Sequence, residues 1–152
     1  MSKCSGHDQQ VEMTRVLELI KSKGLRLTQQ RKTLIEVLLK FRVPFSADDL
    51  KEELSDTKID LATIYRALQS FQDLGLLQRI DFNDGVARYE YQNESHHHHH
   101  IVCTECRKVE VVDFCVVKGQ EELIRKMGYQ DVFHKLEFFG VCKDCIDKQS
   151  AD

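Results

Sequence analysis

Apolar residues recur at helical spacing through the first half of the chain and follow a different period in the second half. From Val11 to about Phe82 they return every three or four positions, whereas from Gly85 onward they mostly alternate or form short β-branched runs. This change of period predicts a helical first half and a sheet-containing second half. We expect two domains, which span residues 1–91 and 92–152.

Four helices are predicted in the first half, and local sequence signals mark their ends. Gly24 is typical of a helix C-terminus, and Thr28 can cap the start of the second helix. Ser46, with Asp49 three positions later, forms a variant of the capping box at the start of the third. Asp60 can cap the fourth. Each cap offers a side-chain oxygen to backbone amides that the first helical turn leaves unpaired.

A β-hairpin is predicted directly after the fourth helix. Its strands, Leu76–Phe82 and Val86–Tyr91, are separated by Asn83-Asp84-Gly85, whose residue types tolerate the left-handed backbone of a tight turn. Short helices followed by such a hairpin are typical of a winged helix-turn-helix. The predicted fold class is therefore α+β, with an N-terminal winged helix-turn-helix domain.

Charge supports DNA binding only over part of this domain. Residues 14–32 hold six basic side chains against one acidic, whereas residues 48–60 hold six acidic against two basic. One face can thus meet phosphate while another repels it. Because the whole chain has a formal net charge of −3, we expect specific binding to require a dimer that doubles the positive patch.

The fourth helix is the candidate recognition helix. Thr63 and Tyr65 can donate hydrogen bonds to phosphates or contact a thymine methyl group. Arg66 is long enough to reach guanine O6 and N7 in a major groove. The apolar residues between them are assigned to the core. They are Ile64, Leu68 and Phe71.

Cysteine content points to metal chemistry. The chain has 152 residues and six cysteines, with no apolar run near the ~20 residues of a membrane span and no apolar core of a secretory signal at its start. We therefore expect a cytoplasmic protein with no membrane partner, in which cysteines bind metal rather than form disulfides. Cys4 and Cys115 stand apart from the Cys-x-x-Cys pairs and are interpreted as a terminal thiol and a core residue.

Two Cys-x-x-Cys pairs predict a structural zinc site. The two-residue spacer forms a tight turn that directs both sulfurs at one tetrahedral ion. The 35 residues between the pairs indicate an ion that ties together distant parts of a domain. Two disulfides or an iron–thiolate centre are the alternatives. The four predicted ligands are Cys103, Cys106, Cys142 and Cys145.

A run of five histidines precedes the first cysteine pair. In an extended strand His98 and His100 share one face while His97 and His99 share the other, so the run offers ligands to two sites. Carboxylates and a further histidine can complete these sites, and such donors suit zinc or iron(II). The completing residues are Glu90 and Glu110 for the first site, and His134 and Asp113 for the second.

These features together resemble the ferric uptake regulator family, which includes iron, zinc and peroxide sensors. The resemblance spans about residues 11–147. Its most specific parts are the segment Leu61-Ala62-Thr63-Ile64-Tyr65-Arg66 and the two cysteine pairs, and residues 23–31 are also similar to the family's exit from the first helix. There, the resemblance implies that Arg26 enters a minor groove.

The resemblance implies a homodimeric, metal-dependent repressor that binds an inverted-repeat operator in double-stranded DNA. Its second half would be a small α/β dimerisation domain with strands near 100–103, 109–114 and 130–139 and a helix near 118–127. The four cysteines would hold structural zinc, the set with Glu90 would be the regulatory iron(II) or zinc site between the domains, and the set with His134 would be a further site. No small organic substrate is implied.

The sequence departs from the family pattern at four places. The stretch from Glu90 to the histidines is longer than in the family, and one residue is missing between Cys106 and Glu110. The family often has a histidine just before the serine that caps the third helix, where this chain has Val43-Pro44-Phe45. Val117 stands where a carboxylate of the further histidine site is expected. A carboxylate at Glu90, where zinc sensors tend to have cysteine, favours an iron(II) or peroxide sensor.

Two classes of protein other than a repressor could also use these metal ligands. A zinc hydrolase needs an open metal position and a general base, and the chain lacks the His-Glu-x-x-His arrangement that would place them on a helix; we therefore predict no enzymatic activity. A metal-storage or zinc-ribbon adaptor protein would use the ligands without DNA. Zinc- and peroxide-sensing members of the same family remain alternatives within the repressor class.

Overall fold

Residues 6–92, 98–115 and 117–149 are described by the structure, a computed structural model. The chain divides into one compact unit that ends at Gln92 and a second that begins at Asn93. The boundary expected from the sequence, between residues 91 and 92, lies one residue earlier.

Side-chain caps begin three of the four helices in the first unit, as predicted. The Thr28 hydroxyl accepts a hydrogen bond from the Arg31 amide at 3.2 Å. Ser46 and Asp49 form a reciprocal capping box, with the carboxylate accepting from the Ser46 amide at 2.7 Å. The Asp60 carboxylate accepts from the amide of the third helical residue. The helices are α1 (Gly6–Ser22), α2 (Gln29–Leu38), α3 (Ala47–Glu53) and α4 (Leu61–Asp73).

A three-stranded antiparallel sheet completes the first unit. Strands β1 (Phe45–Ser46), β2 (Leu77–Asp81) and β3 (Ala87–Tyr91) follow the order β1-β3-β2. Asn83 and Gly85 have φ of 59° and 77°, as the predicted tight turn requires. The hairpin prediction is confirmed, whereas β1 was not predicted because two residues are too few to show an alternating pattern.

The buried face of α4 anchors the helix-turn-helix. Ile64, Leu68 and Phe71 are at most 1% exposed and lie in the core of the first unit, as predicted. Burial of each such side chain stabilises the fold by about 1.5–3 kcal/mol. The opposite face of the helix, with Tyr65 and Arg66, is exposed, so the core holds the candidate recognition residues toward solvent.

The second unit is built on a mixed sheet. Strand β4 pairs with β5 in antiparallel and with β6 in parallel orientation, giving the order β5-β4-β6. The strand predicted near 130–139 begins only at Glu137. Within the predicted span, Asp131 has a left-handed backbone (φ 52°), which is incompatible with a strand at that residue. The final helix was not predicted. The elements are β4 (His99–Cys103), β5 (Val109–Val112), α5 (Lys118–Lys126), β6 (Glu137–Gly140) and α6 (Lys143–Gln149).

The second unit buries little apolar surface. Among its described residues only Val102 and Cys103 are buried hydrophobic residues, and many large apolar side chains are exposed. They include Phe114, Leu123, Met127, Tyr129, Phe133 and Ile146. In the described part of the chain, no helix has the length and apolar character needed to cross a membrane.

The Asp60 cap yields a stability prediction. Hydrogen bonds from the side chain and then the backbone of Thr63 lower the pKa of Asp60 below its ordinary value. The carboxylate therefore contributes its full stability above the unfolded-state pKa and loses it as the pH falls through the lower folded-state pKa. We expect Asp60→Ala to lower Tm at neutral pH by roughly 3 °C. Thermal unfolding followed by circular dichroism across a pH series measures this effect.

Asp60→Asn is the matched control, because asparagine caps a helix about as well as aspartate and does not titrate. Its Tm should stay near that of the wild type at neutral pH. An equal loss for both variants would show that the charge of Asp60, rather than the cap, stabilises α4.

Candidate metal centres

The parallel pairing of β4 with β6 brings the two Cys-x-x-Cys pairs together. Cys103 is the last residue of β4 and lies opposite Gly140, the last residue of β6. Cys106 follows in a turn whose left-handed residue is Arg107 (φ 64°). Cys142 stands just before α6, and Cys145 lies in its first turn. The sheet thus carries one pair to the other across 35 intervening residues.

The four sulfurs form a cluster of tetrahedral dimensions. The Sγ atoms of Cys103 and Cys145 are 3.9 Å apart, and those of Cys106 and Cys142 are 3.7 Å apart. A tetrahedral zinc ion with Zn–S bonds of about 2.3 Å has sulfur–sulfur edges of about 3.8 Å. The distances exceed the roughly 2.05 Å of a disulfide bond, and all four cysteines are free thiols. The donor set fits a structural zinc ion that closes its own coordination shell.

Backbone amides prepare one sulfur of this cluster as a thiolate. The Cys142 amide donates to Cys103 Sγ at 3.3 Å and the Cys106 amide donates at 3.5 Å, and these bonds lower the pKa of Cys103 to about 6. The hydrogen bond with Cys142 raises the pKa of Cys145 to about 12. Without a cation, negative charge is therefore concentrated on Cys103. A metal ion would replace the remaining thiol protons.

Strand alternation separates the described histidines. His98 and His100 lie on one face, with ring centroids 5.0 Å apart and planes nearly perpendicular. His99 points to the other face, and both His99 and His100 are buried. His97, which was assigned to the same face as His99, lies outside the described residues.

The structure does not bring Glu110 to His98 and His100. Glu110 pairs with Ile101 across β4 and β5, so it shares the face opposite His100. Its carboxylate forms an ion pair with Lys108 at 3.0 Å. Glu90 lies on β3 in the first unit and is half-buried. Its part in a regulatory site stays a prediction.

A second cluster of potential metal ligands in the second unit includes Cys115, which was expected in the core. The Nε2 atoms of His134 and His99 are 3.3 Å apart, and Cys115 Sγ lies 3.4 Å from His134 Nε2. Cys115 was interpreted as a core residue, but it is half-buried and its sulfur faces the imidazoles. Asp113, the expected ligand, is exposed and is not part of this cluster. The strand ends at Val112, so Asp113 lies beyond the regular side-chain alternation of β5.

The carboxylate at this cluster is Glu121, which was in neither predicted ligand set. His134 Nδ1 donates to Glu121 Oε1 at 2.6 Å, and this bond lowers the pKa of Glu121. A carboxylate was expected at position 117, where the chain has valine. Glu121 is four residues later, one turn along α5, where it occupies nearly the same helix face. That helical offset is the sequence signal that could have identified it.

The candidate DNA-contacting residues lie at exposed or partly exposed positions of the first unit. Tyr65 is 48% exposed. Arg66 is exposed and donates to the Thr63 hydroxyl at 3.1 Å. Arg26 lies in the loop before α2, and its carbonyl accepts from the Arg31 guanidinium. The described geometry leaves these long side chains able to reach a phosphate or a base edge.

Comparison with known proteins identifies the family. The sequence profile described as "Ferric uptake regulator family" matches residues 22–139. The chain belongs to the ferric uptake regulator family. A relative, the peroxide-responsive repressor PerR of Staphylococcus aureus (strain Mu50 / ATCC 700699), is 31% identical over 140 residues, which cover 90% of this chain and 93% of the relative.

Solved structures of the family share the fold. The Vibrio cholerae ferric uptake regulator is 34% identical, with a TM-score of 0.71 over 82% of this chain and 98% of that one. The Helicobacter pylori ferric uptake regulator, described as having three functional metal-binding sites, has a TM-score of 0.76 at 22% identity and covers 96% of this chain and 97% of that one. The second likeness concerns the fold alone.

Loss of metal from the cysteine cluster should lower the stability of the fold. In Cys142→Ser, three thiolates and a hydroxyl replace four thiolates, so we expect loss of about one zinc per chain and a fall in Tm of roughly 10 °C or more. Metal analysis and calorimetry measure the two effects. Cys4→Ser is the matched control, because Cys4 belongs to neither Cys-x-x-Cys pair. If Cys142→Ser keeps its full zinc content and Tm, the cluster is not a structural zinc site.

Proposed function

We propose that this protein is a cytoplasmic, homodimeric, metal-dependent transcriptional repressor of metal-uptake or metal-stress genes, which binds an inverted-repeat operator in double-stranded DNA. The observation that carries this proposal is the combination, in one member of the ferric uptake regulator family, of an exposed helix-turn-helix face and a separate unit with clustered metal ligands. The cytoplasm is proposed as its location because its partner is operator DNA.

The geometry of α4 supports DNA binding. A recognition helix must keep one face in the core and present the other to a major groove. Ile64 and Leu68 are fully buried, whereas Tyr65 and Arg66 are exposed. Arg66 would read guanine, while Thr63, Tyr65 and Arg26 would contact the backbone or groove.

The surface of the second unit supports a homodimer. Phe114, Met127, Tyr129 and Phe133 are each more than 60% exposed. Exposed apolar side chains in such numbers are typical of a surface that another protein covers. A second copy would also place two recognition helices on the two half-sites of an inverted repeat.

The ion that regulates DNA binding is proposed to be iron(II) or zinc. His98 and His100 provide imidazole ligands on one strand face, and Glu90 and Glu110 remain the predicted carboxylate partners. Because Glu110 shares the opposite face with Ile101, it could join them only if the register of β5 against β4 shifted by one residue. The ion acts as a switch only if it binds one conformer more tightly than the other.

A peroxide-responsive repressor is the second candidate. It is favoured by the 31% identity with PerR of Staphylococcus aureus, a protein named for that response. The two candidates differ in one measurement. Hydrogen peroxide added to the iron(II)-loaded protein should release DNA if the second candidate is right and leave binding unchanged if the first is right.

Arg66→Ala tests the DNA-binding assignment. We expect it to weaken metal-dependent binding to inverted-repeat duplexes selected from a randomised library by about 10-fold or more, because a bidentate arginine–guanine contact contributes about 1–3 kcal/mol. Fluorescence anisotropy measures the affinity, and metal content should not change. Arg66→Lys keeps the charge but loses the fork geometry, so it should lose sequence discrimination more than total affinity.

Unchanged DNA binding by Arg66→Ala would exclude α4 as the recognition helix. If the metal-loaded wild type selects no inverted repeat at moderate salt, the chain is a metal-storage or adaptor protein instead.

The double variant His98→Ala/His100→Ala tests the sensing assignment. We expect loss of the metal response in DNA binding, because the variant removes both imidazoles of one strand face. The dimer should persist in analytical ultracentrifugation, since the cysteine cluster remains. Gln120→Ala is the control, because Gln120 is exposed on α5 and belongs to neither ligand set; it should retain the response. A double variant that still responds to metal would show that these histidines do not sense it.

A further inference from the structure

Three potential ligand atoms lie close together in the second unit, at the start of β4. His99 Nε2 and His134 Nε2 are 3.3 Å apart, and Cys115 Sγ is 3.4 Å from His134 Nε2. The three residues come from separate segments, which only the tertiary fold brings together. His99 is 3% exposed, while the other two are half-buried.

Hydrogen bonds fix the tautomers of both imidazoles. His99 Nδ1 lies 3.1 Å from the Leu136 carbonyl, which can only accept, so His99 Nδ1 carries a proton. His134 Nδ1 lies 2.6 Å from the Glu121 carboxylate and donates to it. In the neutral form of each ring, the lone pair is therefore on Nε2. The two lone pairs face each other across 3.3 Å.

Two facing lone pairs repel each other unless a cation lies between them. A tetrahedral zinc ion with Zn–N bonds of about 2.0–2.1 Å and a Zn–S bond of about 2.3 Å has a nitrogen–nitrogen edge of about 3.3 Å and a nitrogen–sulfur edge of about 3.6 Å. Both observed distances are close to these edges. The alternatives to a metal ion are a proton shared by the two rings and a Cys115 thiol that donates to His134 Nε2.

The family resemblance already implies a metal site at His99 and His134. We propose that the third ligand of this site is the thiolate of Cys115 rather than a carboxylate, so that zinc binds through two Nε2 atoms and one sulfur, and that Glu121 is a positioning residue that holds His134 in the ligating tautomer. Zinc would displace the proton of the Cys115 thiol, which passes to solvent. The fourth coordination position is left to water or to another side chain. This site stands independently of whether the chain binds DNA.

The sulfur ligand decides which metals the site prefers. Imidazole and carboxylate ligands, as predicted with Asp113, suit iron(II), manganese and zinc alike. A thiolate shifts the preference toward softer ions and away from manganese. Cys115 therefore makes this centre selective for zinc, unlike the histidine and carboxylate set predicted for sensing.

The test is a cobalt(II) titration of the full chain carrying His98→Ala and His100→Ala, with zinc retained at its cysteine cluster. The two substitutions prevent the predicted sensing site from contributing to the spectrum. We expect tetrahedral cobalt bands together with a near-ultraviolet thiolate-to-cobalt charge-transfer band, all of which zinc displaces and a large excess of manganese does not. Cys115→Ser should lose the charge-transfer band. Cys115→Asp should bind cobalt without that band and discriminate less between zinc and manganese, which shows that the site persists with an oxygen ligand.

The positioning role of Glu121 has its own readout. Glu121→Gln should lower cobalt affinity by roughly 10- to 100-fold, as loss of such an outer-shell partner typically does, while the charge-transfer band at saturation keeps its intensity. Glu122→Gln is the matched control, because Glu122 is exposed on the same helix and pairs with Lys126. Its cobalt affinity should be unchanged.

Three results would overturn the proposal. The charge-transfer band could survive in Cys115→Ser, or disappear in Cys4→Ser instead. Alternatively, the His98→Ala/His100→Ala chain with zinc at its cysteine cluster could bind no cobalt(II) while proton NMR shows a proton shared between His99 and His134.

Discussion

The parallel ladder between β4 and β6 is the constraint on which both metal clusters of the second unit depend. Its register sets Cys103 opposite Gly140, and the chain leaves β6 directly into the second cysteine pair. The residue before β6, Leu136, accepts the hydrogen bond that orients His99. One strand pairing therefore positions the sulfurs at one end of β4 and an imidazole at the other.

The small buried core of the second unit gives a physical reason for structural metal there. Among its described residues few apolar side chains are buried, so the hydrophobic effect alone stabilises the sheet weakly. A zinc ion held by four thiolates would add binding free energy to folding. A second copy of the chain would bury the apolar side chains that the single unit leaves exposed.

The first unit follows a different principle, since most of its order is local. Caps at Thr28, Ser46 and Asp60 begin three helices, and a left-handed turn at Asn83 closes the hairpin. Each signal acts over two to four residues, which is why the sequence pattern predicted these features. The buried face of α4 followed from its 3.6-residue period in the same way.

The sequence by itself determined the caps, the hairpin, the cysteine pairs and the alternation of the histidines, because each depends on residues close together in the chain. Only the tertiary structure decided that Cys115, rather than Asp113, joins His99 and His134, and that Glu121 orients the latter. Those contacts join segments 13 to 35 residues apart. Their formation depends on where β5 ends and how α5 packs, which no local spacing specifies.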